Sequence, residues 1–126
     1  MRAALSLSLA ISLAALLAAC VTDTRPNGSA CATPTIELEL RLTATELTPS
    51  PSVCRDQAVT LRIASEVDGF VHIHGYEESV SATKVVAGET LELTFTAERS
   101  GQYPIELHPA DDPEGVDVGI FTVNEP

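Results

Sequence analysis

The sequence predicts an all-β fold, a two-sheet antiparallel β-sandwich, on three observations. Apolar and polar residues alternate with a period of two in most segments from Thr35 onward. Turn signals built from Pro, Gly, Asp and Ser recur at intervals of about ten residues, which sets a sandwich of about seven or eight short strands. No segment of the domain carries a helical apolar stripe with capping residues.

The elements follow in order. Ile36, Leu38, Leu40 and Leu42 alternate with Glu37, Glu39, Arg41 and Thr43, a strand with one buried face. The run Thr48-Pro49-Ser50-Pro51-Ser52 breaks the chain, because proline removes a ladder donor. Val59, Leu61 and Ile63 form a second strand, ended by the turn Val67-Asp68-Gly69. Phe70 to Tyr76 is a third strand, with Val71 and Ile73 on one face and His72 and His74 on the other. Val80 to Val86 is a weaker strand, and Ala87-Gly88-Glu89 turns it. Leu91, Leu93 and Phe95 alternate strongly up to Glu98-Arg99-Ser100-Gly101. Tyr103, Ile105 and Leu107 continue the inward face, a loop spans Pro109 to Gly115, and Val116 to Val123 closes the domain.

At 126 residues the chain has room for one core. Only 4% of its residues are aromatic and none is tryptophan, so the core is mainly aliphatic. Eighteen acidic residues oppose seven basic ones, for a net charge of −11, and every acidic residue lies beyond the apolar N-terminal segment. Such a surface repels nucleic acid and anionic lipid headgroups and attracts cations.

Residues 1–19 have the build of a secretory signal. Arg2 supplies one positive charge, Ala3 to Leu17 is an uncharged apolar run, and Leu17-Ala18-Ala19-Cys20 ends it. These last four residues resemble the bacterial lipobox, which implies cleavage before Cys20 and acylation of its thiol. Each buried methylene of an acyl chain contributes ~0.8 kcal/mol, so two or three chains anchor a protein firmly to a membrane. Val21 stands where an aspartate resembles an inner-membrane retention signal; its absence points to the outer membrane, facing the periplasm, in a two-membrane cell, and to the extracytoplasmic face otherwise. Residues 20–34, rich in Thr, Asn, Gly, Ser and Pro, are expected to form a flexible tether, and residues 35–126 the domain. With Cys20 lipidated, Cys31 and Cys54 remain in an oxidising compartment and are expected to form a disulfide. A soft-metal thiolate pair usually has closer spacing.

The segment Phe70-Val71-His72-Ile73-His74-Gly75-Tyr76, the turn Val86-Ala87-Gly88-Glu89 before Leu91 to Phe95, and Gly101-Gln102-Tyr103 together resemble the cupredoxin-like family over roughly residues 56–123. The resemblance implies a Greek-key β-sandwich, and in typical members a type 1 copper used for electron transfer. That centre takes two histidines, a thiolate and usually a weak axial methionine. The thiolate would fall four residues beyond the tyrosine, where this chain has Leu107, and the only methionine is Met1. Type 1 electron transfer is therefore not expected.

Three histidines remain as candidate ligands. His72 and His74 share a strand face, and His108 lies one residue past the inward Leu107, near where the resemblance places the family's last ligands. Joined, the three imidazoles suit Cu(II) or Zn(II), with Asp111, Asp112, Glu114 or Asp117 as candidate oxygen donors and Glu77 or Glu78 as candidate partners of imidazole N–H groups. Ligation needs neutral imidazole, so binding should weaken below roughly pH 6. Apart from a metal, a sandwich edge or the histidine-bearing face suits a protein partner at the cell envelope. No serine triad, phosphate loop or free cysteine nucleophile supports catalysis, and a non-enzymatic binding protein is expected.

Overall fold

The computed structural model describes residues 30–126. The expected signal segment, the lipidation site Cys20 and most of the tether lie outside the described residues. A short 3-10 turn, Ala30–Ala32, leads into nine strands: β1 Thr35–Leu42, β2 Leu47–Thr48, β3 Ser52–Cys54, β4 Ala58–Ser65, β5 Gly69–Ile73, β6 Thr83–Val85, β7 Thr90–Thr96, β8 Gly101–Pro109 and β9 Val116–Asn124. They form two sheets, in the orders β2-β1-β4-β7 and β3-β9-β8-β5-β6. The all-β sandwich is as expected.

Its antiparallel character needs correction, because both sheets are mixed. β1 pairs parallel with β4 along its whole length, from Thr35 opposite Ala58 to Leu42 opposite Ser65. β3 pairs parallel with β9. The cause is the proline-rich break. After β2 the chain leaves the first sheet, adds β3 to the edge of the second, and returns to start β4 beside β1. Parallel neighbours need a long crossover, and residues 43–57 supply one.

The inward faces meet in one core. Val59, Leu61 and Ile63 of β4 and Leu40 and Leu42 of β1 face Val71 and Ile73 of β5, Ile105 and Leu107 of β8, and Val118, Phe121 and Val123 of β9. Tyr76, Phe95, Tyr103 and Phe121 pack edge to face or tilted, with neighbouring ring centroids 4.7–6.5 Å apart. Tyr76 is buried. Its hydroxyl donates to the Arg99 carbonyl at 2.7 Å and accepts from the Arg99 N–H at 3.0 Å.

The last part of the expected tether is held against the sandwich. The Cys31–Cys54 disulfide forms, with Cα atoms 5.4 Å apart. The buried Gln57 side chain donates to the carbonyls of Ala30 and Thr33, at 3.0 and 2.9 Å, and accepts from the Cys54 N–H. The bridge closes a loop of 23 residues in sequence separation, and such a loop stabilises by about 3 kcal/mol on the chain-entropy account.

Candidate metal centre

The candidate site lies on the outward face of the second sheet, and strand register builds it. β5 and β8 run antiparallel with His72 opposite Glu106 and Phe70 opposite His108. Val71 and Ile73 point into the core, so His72 points out; Ile105 and Leu107 do the same for Glu106 and His108. β5 ends at Ile73, short of the Tyr76 limit that the sequence suggests. His74 and Gly75 form a turn, with Gly75 at a φ of +84° that favours glycine. The His74 N–H still donates to the Pro104 carbonyl, at 2.9 Å, and so stays beside β8.

All three predicted histidines meet here. The Nε2 atoms of His72 and His108 lie 3.3 Å apart. The ring centroids of His72 and His74 are 4.5 Å apart, and those of His72 and His108 are 5.2 Å apart. Glu106 sits among them, a donor that the sequence does not single out. One carboxylate oxygen is 2.8 Å from His108 Nε2; the other contacts His74 Nε2 and lies 3.7 Å from His72 Nε2. The chain does hold a signal for it: Glu106-x-His108 has the same period-two spacing as His72-x-His74. Only the pairing of β5 with β8 shows that the two patterns face each other.

Two further features fix the carboxylate. A β-bulge between Ile105 and Glu106 shifts the register with β9, leaving Asp117 opposite Glu106. Gly115 passes so close that a β-carbon there would overlap the Glu106 side chain. His108 is oriented from behind, its Nδ1 facing the Pro113 carbonyl at 3.5 Å, which leaves Nε2 directed at the cluster.

Two three-donor sets have ligand atoms within 4.8 Å of one another: His72, Glu106 and His108, and His72, His74 and Glu77. The expected oxygen donors Asp111, Asp112, Glu114 and Asp117 belong to neither set. Asp112 instead accepts from the Glu114 N–H at 3.0 Å, an ordinary turn contact. Glu77 accepts from the Gly75 N–H at 2.8 Å and lies 3.5 Å from His74 Nδ1.

The electrostatics match this packing. Hydrogen bonding to Glu106 raises the His74 imidazole above the usual histidine range. Hydrogen bonding from His74, followed by the nearby charge of His108, holds Glu106 below the usual carboxylate range. Backbone N–H groups, its own first and then that of Gly75, lower Glu77 as well. In the metal-free protein the raised His74 contributes stability below the ordinary histidine pKa of about 6.5, lost as pH rises through its elevated value. Glu106 contributes above the ordinary glutamate pKa of about 4.3, lost as pH falls through its depressed value. The pair therefore acts most strongly between those two limits. An NMR titration of the metal-free protein is expected to place His74 above a free histidine and Glu106→Gln to lower it; an unshifted His74 in the parent would contradict this.

No family model matches the chain, and no curated protein matches it. Solved structures do. A multi-copper oxidase from Pseudomonas thermotolerans aligns over 72% of this chain and 30% of its own, at 20% identity and a TM-score of 0.52. The multicopper oxidase mgLAC aligns over 72% of this chain and 39% of its own, at 13% identity and 0.51. Auracyanin A, a "blue" copper protein from Chloroflexus aurantiacus, aligns over 71% of this chain and 99% of its own, at 19% identity and 0.50. The chain thus spans 23–39% of the two oxidases and the laccase it matches first and nearly all of auracyanin A.

The fold is cupredoxin-like. Within this cupredoxin-like sandwich, Leu107, at the position where the resemblance calls for a thiolate, is fully buried in the core. Cys31 and Cys54 are joined to each other, so no free thiol remains among the described residues. The donors present are imidazole and carboxylate, and they lie on a sheet face.

Proposed function

We propose that this protein is an exported, lipid-anchored metal-binding protein that holds a divalent transition ion, Cu(II) or Zn(II), through His72, His108 and Glu106. The observation that carries the reading is the 3.3 Å separation of the two Nε2 atoms, with the Glu106 carboxylate 2.8 Å from one of them. Two nitrogens bound tetrahedrally at about 2.0–2.1 Å from one ion stand about 3.3 Å apart, so these imidazoles are already spaced as ligands. Nitrogen and carboxylate donors without thiolate suit Cu(II) or Zn(II). Such a set is able to hold an ion and to pass it on. The acidic surface raises the local cation concentration.

Titration of the purified protein with Cu(II) and with Zn(II) at neutral pH tests this. One equivalent bound tightly is expected, and only weak, multi-site binding would overturn it. The anchor at Cys20 rests on the lipobox-like Leu17 to Cys20 and places the domain at a bacterial cell envelope. Labelling with palmitate in cells is expected and should be absent in Cys20→Ser; label that persists in that variant would sink the assignment.

A second reading, a metal-free module for an envelope protein partner, is favoured by one observation. Phe70 and Ile120, 50% and 40% exposed, lie on the same sheet face as the histidines. Weak, multi-site metal binding in the titration would select it.

A further inference from the structure

The five donors do not form one shell. His72 and Glu106 are the most covered, with side chains 17% and 18% exposed; His108 is at 36%, and His74 and Glu77 stand outermost at 44% and 50%. Both three-donor sets contain His72. His74 presents one nitrogen to each carboxylate: Nε2 contacts Glu106, and Nδ1 faces Glu77 at 3.5 Å. A histidine whose Nε2–H donates to a carboxylate keeps its Nδ1 lone pair free, and that pair is then aimed at the Glu77 side. Glu106 therefore acts as a ligand towards His72 and His108 and as an orienting group towards His74.

Resting on the function proposed above, we infer that His74 and Glu77 form a second, outer divalent-cation subsite that shares His72 with the inner set, one ion occupying the two in turn. The five donors carry two carboxylate charges, which balance one dication and not two. An ion arriving from solvent meets Glu77 and His74 first. It can then exchange these for His108 and Glu106 while keeping its bond to His72, so it reaches the covered position without full release.

The test uses Cu(II) with the whole protein, followed by binding titration and EPR. His108→Ala is expected to keep one equivalent of Cu(II), bound at least about tenfold more weakly and with an altered EPR spectrum, as a ligand set changes. Adding Glu77→Gln in that background should weaken binding at least about tenfold again. The same substitution should cost much less in the parent, where the inner set holds the ion. An equal loss from Glu77→Gln in both backgrounds, as a through-space charge effect would give, overturns the inference. So does an unchanged EPR spectrum in His108→Ala, or two equivalents bound by the parent. If His72→Ala still binds one equivalent tightly, the inner seat itself fails, and the proposed function falls with it. If the parent binds one ion and only the Glu77→Gln pattern is missing, the outer subsite alone is wrong.

Discussion

His72→Ala is expected to lower affinity for Cu(II) or Zn(II) by at least about 100-fold. Altering a group that merely orients a ligand commonly costs about 10–100-fold, and His72 belongs to both ligand sets. The substitution should leave the fold intact. The imidazole lies outside the core, and the β5–β8 pairing that holds position 72 opposite Glu106 is made by backbone groups. Circular dichroism and the thermal midpoint of the metal-free variant check that point, and a competition titration against a chelator of known affinity reads the binding. A loss below about threefold in a folded variant would remove His72 from the ligand set. Glu106→Gln keeps the side-chain shape and removes the charge, and should weaken binding with the same sign.

Phe121→Ala is expected to destabilise the domain by about 3–5 kcal/mol, a large part of the roughly 5–15 kcal/mol that holds most domains folded. Phe121 is fully buried, on β9 opposite Tyr103, and its ring meets those of Tyr76, Phe95 and Tyr103. The chain has only three phenylalanines and two tyrosines, and four of these five rings form this one cluster. Truncation opens a cavity that the surrounding aliphatic side chains can fill only in part. Tyr76 loses packing in the same step, and Tyr76 clamps the segment just after the His74–Gly75 turn, so metal binding should weaken near the new unfolding midpoint. Phe70→Ala is the comparison: that ring is half exposed, and its loss should stay within about 0.5 kcal/mol. Urea denaturation measures both, and a Phe121→Ala cost below about 1 kcal/mol would show that the cluster does not carry the core.

Much of the site is legible in the amino-acid sequence. Alternation about Val71 and Ile73 turns His72 outward, and alternation about Ile105 and Leu107 does the same for His108. The departure from the type 1 copper set that the resemblance implies is legible too, since position 107 holds leucine and no methionine follows Met1. Carboxylates are densest in the loop from Pro109 to Gly115, which makes that loop the obvious source of oxygen donors, yet the fold brings Glu106 and Glu77 to the histidines instead. Density along the chain says little about convergence in space.

The sequence by itself determined which face the residues of the long strands take, and that Cys31 and Cys54 are the pair available for a bridge. These are local properties, because side chains alternate by backbone geometry within a single strand. The tertiary structure alone decided which strands are neighbours, that β1 and β4 run parallel, and that the bulge and Gly115 make room for Glu106 between three imidazoles. Period-two alternation is identical for parallel and antiparallel pairs and is silent about partners. Neighbours and register are set by how two whole sheets bury their faces against each other, a property of the assembled core that no single segment carries.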